Sequence, residues 1–377
     1  MSEVEQPEFR FGQGKISGAL SAALGALGFG AVLCLRYPDW LTTPDMRAVY
    51  PMDLVRALIQ LVLTTAFAFG VLNTVLNRRP RSLGMAGMGL ALLATLLGGA
   101  EVPIGTIQDK RTHIGLDWFV LNLFFLALLF VPLERMFPRR EQRVFRKGWR
   151  TDLSHFFVSH MGVQISVLLT MVPAALLFRW MLGSPFQHAV GAQPLWLQCI
   201  EALVLADLFA YGSHRLFHAV PLLWRFHAIH HSCEHLDWLA SSRLHIVDIV
   251  VTRAVAFLPL YVMGFSPEAL VPYLIFASLQ GIGIHSNLRF GFGPLRYLLV
   301  TPQFHHWHHT AQAEAIDKNF AIHLPVIDRL FGTYHLPGER WPERYGIEGN
   351  PVPSGYLPQL AYPFRREDAG ARAKEAT

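Results

Sequence analysis

The sequence predicts an all-α membrane protein with about eight hydrophobic segments and a histidine-rich helical region on one side of the membrane. Three observations lead to this prediction. Hydrophobic residues make up 52% of the 377 residues and charged residues only 16%, whereas soluble chains average about 25% charged residues. Apolar runs of about 20 residues recur along the chain, and the 18 histidines are concentrated in its second half. The composition argues against an ordinary cytosolic enzyme, a nucleic-acid-binding module and a disordered regulator.

The hydrophobic segments are long enough to cross a bilayer as helices. About 20 residues at about 1.5 Å each span the hydrocarbon core of about 30 Å. Asp248 and Arg253 lie inside the seventh segment, where charges are costly, so it could instead lie at the interface or form a re-entrant hairpin with the eighth. The eight predicted segments are 16–35, 54–76, 83–104, 116–137, 156–178, 195–213, 246–265 and 268–284.

Composition divides the chain into three parts. We expect an N-terminal membrane unit of about four helices over 1–136, a catalytic core over 137–342, and a proline-rich, charged C-terminal tail over 343–377. Short basic loops favour the cytoplasmic side, which places the N-terminus and the region after Ser213 inside. The Ala-, Leu- and Arg-rich composition favours a bacterial inner membrane. The basic residues used are Arg78, Arg79, Arg81, Arg139, Arg140, Arg143, Arg146, Lys147 and Arg150.

Histidines form three short motifs that are typical of a metal centre. On a helix, positions i, i+3 and i+4 share one face, so each motif presents several imidazoles together. Neutral imidazole is the commonest metal ligand in proteins. The motifs are HRLFH, with His214 and His218; HAIHH, with His227, His230 and His231; and HHWHH, with His305, His308 and His309.

The number of histidines predicts two metal ions. Eight motif histidines exceed the four ligands of one zinc site, whereas two ions with about four ligands each fit the count. The three cysteines have no CxxC spacing and predict neither a disulfide framework nor a thiolate site. Two alternatives remain: a histidine-rich membrane zinc enzyme, although no HExxH motif is present, and a metal carrier or binding protein, which would hold its ligands near the middle of the spans.

These motifs, with HSN at 285–287 between the second and the third and DKNFAIHLPVIDRLFGTY at 317–334 after the third, resemble the fatty acid hydroxylase and sterol desaturase superfamily of integral-membrane oxygenases. The resemblance covers roughly residues 137 to 342. It implies two iron ions in an all-histidine shell, dioxygen activation and a lipid substrate, with zinc as a possible substitute metal after purification. The sequence departs from the fatty acyl hydroxylases in lacking a second histidine four residues after His285.

The resemblance assigns the metal ligands by position. His245 and His285 fall at family motif positions in addition to the eight motif histidines, whereas His235 and His306 are expected not to be ligands. Asp207, two helical turns before His214, is a candidate acceptor for a ligand N–H; its alternative is an interface charge. Asn319 and Asp328 suit turn or capping roles at least as well as catalysis. The implied ligands are His214, His218, His227, His230, His231, His245, His285, His305, His308 and His309.

The expected chemistry is O₂-dependent hydroxylation or desaturation of a lipid C–H bond. The lipid would be sterol-like, fatty acyl, a sphingolipid or an ether lipid, and no nucleic acid is expected as a partner. Two electrons per turnover have to come from an external donor, because the sequence has no haem-domain motif, no cysteine set for an iron–sulfur cluster and no strand–GxGxxG–helix unit. We expect a b-type cytochrome, or a ferredoxin with its NAD(P)H reductase, on the cytoplasmic side.

Overall fold

The structure is a computed structural model that describes residues 15–76, 82–107 and 113–365. Every regular element in these ranges is helical, and extended pairing is limited to two isolated bridges, Pro138 with Leu288 and Thr310 with Tyr345. The prediction of an all-α fold is confirmed. The chain divides into two compact units, with the division between Phe124 and Phe125. The basic residues Arg78, Arg79 and Arg81, which were used to predict the orientation, lie outside the described residues.

Three long helices pack together in the N-terminal unit. Gly25 and Gly87 let α1 and α5 approach closely, because a Cβ on Gly25 would lie 2.5 Å from the carbonyl oxygen of Gly87. The Ser21 hydroxyl donates a hydrogen bond of 2.7 Å to the carbonyl of Ala66 on α4. The helices that begin in this unit are α1 (Lys15–Arg36), α2 (Pro38–Leu41), α3 (Pro44–Arg47), α4 (Met52–Leu76), α5 (Ser82–Leu96) and α6 (Leu116–Met136).

The second unit is built around one long helix, α10, which packs against α11, α12 and α13. Ala202 and Ala206 of α10 are fully buried and pack with Leu260 and Tyr273 in one of its hydrophobic cores. The helices of this unit are α7 (Trp149–Met161), α8 (Val163–Leu177), α9 (Pro185–Gly191), α10 (Leu195–Ala219), α11 (Pro221–His231), α12 (Ile246–Met263), α13 (Pro267–Gly283), α14 (Pro302–His308), α15 (Pro325–Leu330) and α16 (Tyr356–Ala361).

Six helices of the described chain are long and apolar enough to cross a membrane, so the predicted eight segments are not confirmed. The fifth predicted segment is divided at Gly162 into α7 and α8, of 13 and 15 residues. The eighth corresponds to α13, which has only 17 residues. The seventh is a single 18-residue helix. The six candidate spans are Ile16–Arg36, Met52–Leu76, Ser82–Glu101, Leu116–Met136, Leu195–Ala219 and Ile246–Met263.

Residues 343–365 of the expected tail fold onto the second unit. The side chain of Gln359 is buried and lies 2.8 Å from Nε2 of His155 on α7. Phe364 packs against Phe226 of α11, with ring centroids 5.6 Å apart. Val352 belongs to the core around Ile229. The tail residues from 366 onward lie outside the described residues.

Candidate metal centre

Four segments of the second unit bring the histidine motifs together. His214 and His218 lie on the last turns of α10, and the HAIHH motif ends α11. His285 follows Ile284, the C-terminal cap of α13, and the HHWHH motif occupies α14 and its C-terminal cap. α14 has only seven residues, and the Thr301 side chain caps its N-terminus by accepting a hydrogen bond from the Phe304 N–H.

Nine histidines form two groups whose ring nitrogens could each hold a metal ion. Within each group, one nitrogen per residue lies within 4.8 Å of the others. The HAIHH and HHWHH motifs each contribute histidines to both groups. The histidines of one motif therefore do not all face the same candidate ion. The first group is His214, His218, His227, His231 and His308; the second group is His230, His285, His305 and His309.

The Nε2 atoms of neighbouring histidines face each other at short distances. In the first group, Nε2 of His214 lies 3.0 Å from Nε2 of His227, and the corresponding distance between His218 and His231 is 3.1 Å. The second group forms a chain of such contacts: the distances are 3.1 Å for His230 and His285, 3.0 Å for His285 and His305, and 3.1 Å for His305 and His309.

The hydrogen bonds of Nδ1, the other ring nitrogen, determine whether the facing Nε2 atoms carry a proton. Nδ1 of His214 donates to the carbonyl of Phe320 at 2.7 Å, and Nδ1 of His227 donates to Asp248 at 2.7 Å. A neutral imidazole has one N–H, so both Nε2 atoms carry lone pairs and face each other at 3.0 Å without a proton between them. His230 and His285 repeat this arrangement, since their Nδ1 atoms lie 3.2 Å and 2.7 Å from backbone carbonyl oxygens.

Facing lone pairs fit a shared metal ion. Two nitrogens bound at right angles to one ion, each at about 2.1 Å, lie about 3.0 Å apart. Nε2 of His308 is buried in the first group and has no hydrogen-bond partner among the described residues, as expected of a nitrogen that binds a metal. The residues of both groups therefore fit metal ions, and donation from Nδ1 to carbonyl or carboxylate oxygens is the usual way to orient histidine ligands.

One segment after the last motif orients three histidines of the first group. Nδ1 of His218 donates to Asp317 at 3.1 Å. Nδ1 of His308 donates to the carbonyl of Lys318 at 2.8 Å, and His214 uses the carbonyl of Phe320. Asp317 and Asn319 have positive φ angles of 56° and 62°, which turn successive carbonyls and side chains towards the histidines. The segment 317–320 thus acts as a common acceptor for the site.

Two buried aspartates hold this segment in place. Asp207 accepts hydrogen bonds from the backbone N–H groups of Ile322, His323 and Leu324. Asp328 accepts from the N–H groups of Phe320 and Ala321, each at 2.8 Å. The predicted role of Asp207 as direct acceptor for a ligand N–H is therefore wrong: it fixes the backbone that carries the acceptor for His214. Asp328 holds a turn, one of the roles expected for it.

Asn319 fixes the same turn from the other side. Its amide group donates to the carbonyl of Phe304 at 2.9 Å and of His335 at 2.7 Å, and its side-chain oxygen accepts from the N–H of His335. These three bonds join the segment 317–320 to α14, which carries the last histidine motif. The side chain therefore has the structural role that the sequence suggested as an alternative to catalysis.

Burial keeps the histidines neutral and so able to bind a metal. It lowers the pKa of His285 from 6.5 to about 4, with the backbone hydrogen bond to Gly281 opposing the shift. For His231 and His308, burial and then repulsion between the crowded imidazoles hold the pKa well below its ordinary value. Burial also lowers the pKa of His306 to about 3. A protonated histidine would lose its lone pair, so these shifts favour metal binding at neutral pH.

The other three histidines that the sequence analysis considered as ligands or bystanders, His235, His245 and His306, lie outside both groups. His245 caps the N-terminus of α12, with Nδ1 accepting from the N–H of Val247 at 3.1 Å and Nε2 donating to the carbonyl of Leu360 at 3.2 Å. Both of its nitrogens are therefore occupied, and the predicted ligand role of His245 is not carried forward. His306 contacts the Tyr345 hydroxyl and the carbonyl of Ser286. His235 is half-buried and belongs to neither group.

Asp248 is the site residue that sequence reasoning missed. It is fully buried near the start of α12, and its carboxylate accepts the hydrogen bond from His227. In the sequence it is noticeable only as a charge inside an apolar segment, which raised doubt about a span. The unusual position of that charge was the available signal, because buried carboxylates at membrane depth are costly unless they serve a site.

Comparisons with known proteins agree with this site. The fatty acid hydroxylase family model matches residues 199–333, which include all nine grouped histidines. An ornithine lipid hydroxylase of Rhizobium tropici is 31% identical over 278 residues, covering 70% of this chain and 82% of the relative. Human alkylglycerol monooxygenase is 32% identical over 140 residues, covering 37% of this chain and 31% of the relative.

A more distant relative is a fatty acid hydroxylase of Lecanicillium, 28% identical over 158 residues, covering 37% of this chain and 42% of the relative. No solved structure matches the chain. The six apolar helices and the histidine groups are those expected of an integral membrane oxidoreductase with a metal centre. The chain belongs to the fatty acid hydroxylase and sterol desaturase superfamily of membrane lipid oxygenases.

Proposed function

We propose that the protein is an O₂-dependent hydroxylase of a membrane lipid, with two iron ions held by the nine grouped histidines. The observation that carries the proposal is the set of facing Nε2 lone pairs at 3.0 to 3.1 Å in both groups. Five nitrogens in one group and four in the other suit two ions rather than one. Without metal ions, these neutral histidines would hold the lone pairs of their Nε2 atoms against each other with nothing bound between them.

Iron is supported by the reaction rather than by the ligands. Imidazole suits iron, zinc, copper and nickel alike. Zinc has no redox chemistry, whereas oxidation of an unactivated lipid C–H bond needs a redox-active metal. Zinc would nevertheless fit the same nitrogens in overexpressed protein, so the proposed resting composition is two irons, with zinc as a substitute.

The chain's own contribution is to orient and shield the ligands. When bound, two irons would supply the redox chemistry with dioxygen that oxidation of a C–H bond needs, using electrons from the external donor. Asp248 and the segment 317–320 hold the ligand rings in one tautomer, so that their lone pairs converge before any metal arrives. The nitrogens that converge are shielded, since His309 is 0% exposed and His230 only 5%. This burial excludes water from the ligand atoms.

The substrate is proposed to be a lipid with an acyl or alkyl chain and a polar head. The relative that shares most of its length with this chain is named an ornithine lipid hydroxylase, and others are named alkylglycerol monooxygenase and fatty acid hydroxylase. Because each of these names denotes oxygen insertion, we propose hydroxylation rather than desaturation. Ornithine lipid is the first substrate to test, and an alkylglycerol is the second.

The proposed setting is a bacterial inner membrane with the histidine groups on the cytoplasmic side. The basic residues 139–150 support this orientation through their position after a candidate span. Arg146 contributes less than the sequence suggested, because its side chain is only 3% exposed and forms ion pairs with Asp152 and Asp237. A cytoplasmic b-type cytochrome, or a ferredoxin with its reductase, is the proposed electron donor.

Isotope incorporation tests the proposal. The purified full chain is supplied with NADPH, ferredoxin and ferredoxin reductase and, in separate reactions, with ornithine lipid or an alkylglycerol, and is exposed to ¹⁸O₂. Hydroxylation transfers one ¹⁸O atom into the lipid and the other into water, and consumes two electrons and two protons. Mass spectrometry should show a lipid product that carries ¹⁸O, absent from the His231→Ala variant. A product that has lost two hydrogens without gaining ¹⁸O would contradict hydroxylation, and turnover of neither lipid would contradict the proposed substrate class.

A further inference from the structure

The N-terminal unit contains a cavity of about 380 Å³ between α1, the start of α4 and the start of α6. Its volume lies within the range of about 300–1,000 Å³ that is usual for small-molecule sites. Most of its wall is apolar and comes from residues such as Ala26, Leu27, Ala31, Leu35, Val55 and Leu121. We propose that this cavity binds the acyl chain of a neutral or zwitterionic membrane lipid.

Arg47 gives the cavity a polar end with an unused donor. Its Nη1 atom lies 3.3 Å from Oδ1 of Asp39, and its side chain is 13% exposed. Its Nε atom is buried and has no hydrogen-bond partner among the described residues. A buried donor without a partner is costly, about 1–3 kcal/mol and more for a charged group. A lipid carbonyl oxygen at this end would accept the hydrogen bond that Arg47 lacks.

Asp117 forms the other part of the polar end and is already fully engaged. Its carboxylate accepts hydrogen bonds from the N–H and hydroxyl of Thr43 and from the hydroxyl of Tyr50 at 2.7 Å. Among the described residues, Asp39 beside Arg47 and Asp117 in the cavity wall place two carboxylates against one guanidinium at this end. This balance disfavours a free anionic head and favours the ester or amide carbonyl of a lipid without net charge.

This cavity is independent of the proposed oxidation chemistry. All of its lining residues lie between Ala26 and Leu121, whereas the grouped histidines begin at His214. The family model begins at residue 199 and does not include any lining residue. Lipid binding here is therefore a property of the N-terminal unit, and an experiment can test it independently of metal content and of lipid turnover.

Gly30 offers a way to fill the cavity without displacing the backbone. A Cβ at this position of α1 would meet only the Leu116 side chain, at an ordinary 3.9 Å. A leucine at this position should therefore extend into space that the lipid chain would occupy. Gly89 on α5 provides the matched control, because a Cβ there has no neighbour within 4 Å and the residue does not line the cavity.

The experiment uses the full chain in phosphatidylcholine vesicles with a trace of phosphatidylcholine that carries a diazirine on its acyl chain. After irradiation, digestion and mass spectrometry locate the adducts. Cavity residues such as Leu35 should be labelled, and Gly30→Leu should reduce this labelling at least about fivefold. Gly89→Leu should preserve it, and adducts at the exposed Leu58 and Leu61 should be unchanged in all proteins. Equal cavity labelling in Gly30→Leu and wild type would overturn the site.

Arg47→Lys tests the polar end separately. Lysine keeps a positive charge near Asp39 but has no Nε–H, so cavity labelling should fall while adducts at Leu58 persist. Circular dichroism and size-exclusion profiles equal to wild type show that each variant is folded; if Gly30→Leu fails this check, Arg47→Lys decides. Unchanged cavity labelling in Arg47→Lys, or stronger labelling with an anionic phosphatidylglycerol probe than with phosphatidylcholine, would overturn the assigned head group.

Discussion

Asp248 accepts a hydrogen bond of 2.7 Å from Nδ1 of His227, although 21 residues separate them in the sequence. The carboxylate is buried on α12 and the imidazole on α11, so the contact ties the start of one helix to the end of another. It fixes the tautomer that leaves Nε2 of His227 facing His214. Asp248 is therefore a positioning residue for the first histidine group rather than a ligand.

Replacing Asp248 by asparagine should lower metal affinity and activity by about 10- to 100-fold, the usual effect of losing a carboxylate behind a ligand histidine. Metal analysis of the purified variant, beside its lipid turnover, checks this expectation. The matched control is Glu234→Gln, because the contacts of Glu234 are exposed ones, an ion pair with Lys147 and a hydrogen bond accepted from the Asn350 amide. Wild-type metal content in Asp248→Asn would refute the positioning role.

Asp207→Ala should destabilise the second unit by several kcal/mol. The change leaves three backbone N–H groups, those of residues 322–324, without their acceptor, at about 1–3 kcal/mol each. Asp207→Asn keeps one side-chain acceptor and should lie between the alanine variant and wild type. Thermal unfolding of the solubilised protein measures the difference, with the exposed Asp53→Asn as control. An unfolding midpoint of Asp207→Ala equal to that of the control would contradict this role.

His245 and His285 were indistinguishable in the sequence and should now behave differently. His285→Ala removes a member of the second group and should lower bound metal strongly. His245→Ala removes a helix N-cap, which costs about 0.5–2 kcal/mol, and should retain most of the metal. His245→Asn should recover the lost stability, since asparagine also caps helices well. If His245→Ala lost as much metal as His285→Ala, the grouping of the histidines would be incorrect.

Metal-free protein should become less stable as the pH falls below about 6.5. In the folded chain the pKa of His285 is about 4, whereas an unfolded histidine titrates near 6.5. Between these values the unfolded state binds the extra proton, so folding stability is lost as the pH falls through this window. Unfolding midpoints of chelator-treated protein at pH 7.5, 6.5 and 5.5 check the trend. A midpoint that stays constant or rises on acidification would disagree with neutral buried histidines.

Short-range patterns in the sequence predicted the positions of helices and histidine motifs, but not the contacts between residues far apart in the chain. Spacings of three and four residues placed eight histidines correctly on helix ends, and the apolar runs located six spans. The division of the histidines into two groups was not predictable, because His230 pairs with His285, 55 residues away. The role of Asp207 was not predictable for the same reason: the backbone N–H groups that donate to its carboxylate lie 115 to 117 residues further along the chain.

Two of the eight predicted hydrophobic segments do not appear as candidate spans in the described part of the chain. Length and apolarity do not reveal that the segment 156–178 is broken at Gly162. The proline-rich residues after 342 looked like a tail, yet Gln359 and Val352 are buried against helices of the second unit. A few buried side chains are enough to dock an irregular segment, and composition averaged over forty residues hides them.

The metal-to-protein ratio of iron-supplied protein tests the central claim most directly. We expect two metal ions per chain in wild type, a clear loss in His308→Ala, and a wild-type ratio in His235→Ala, whose side chain lies outside both groups. His306→Ala should also retain most of the metal. Because this variant loses the buried contacts of His306 to Tyr345 and Ser286, it should be less stable than wild type. One tightly bound ion per chain without a second site, or equal ratios in wild type and His308→Ala, would contradict a two-metal histidine centre.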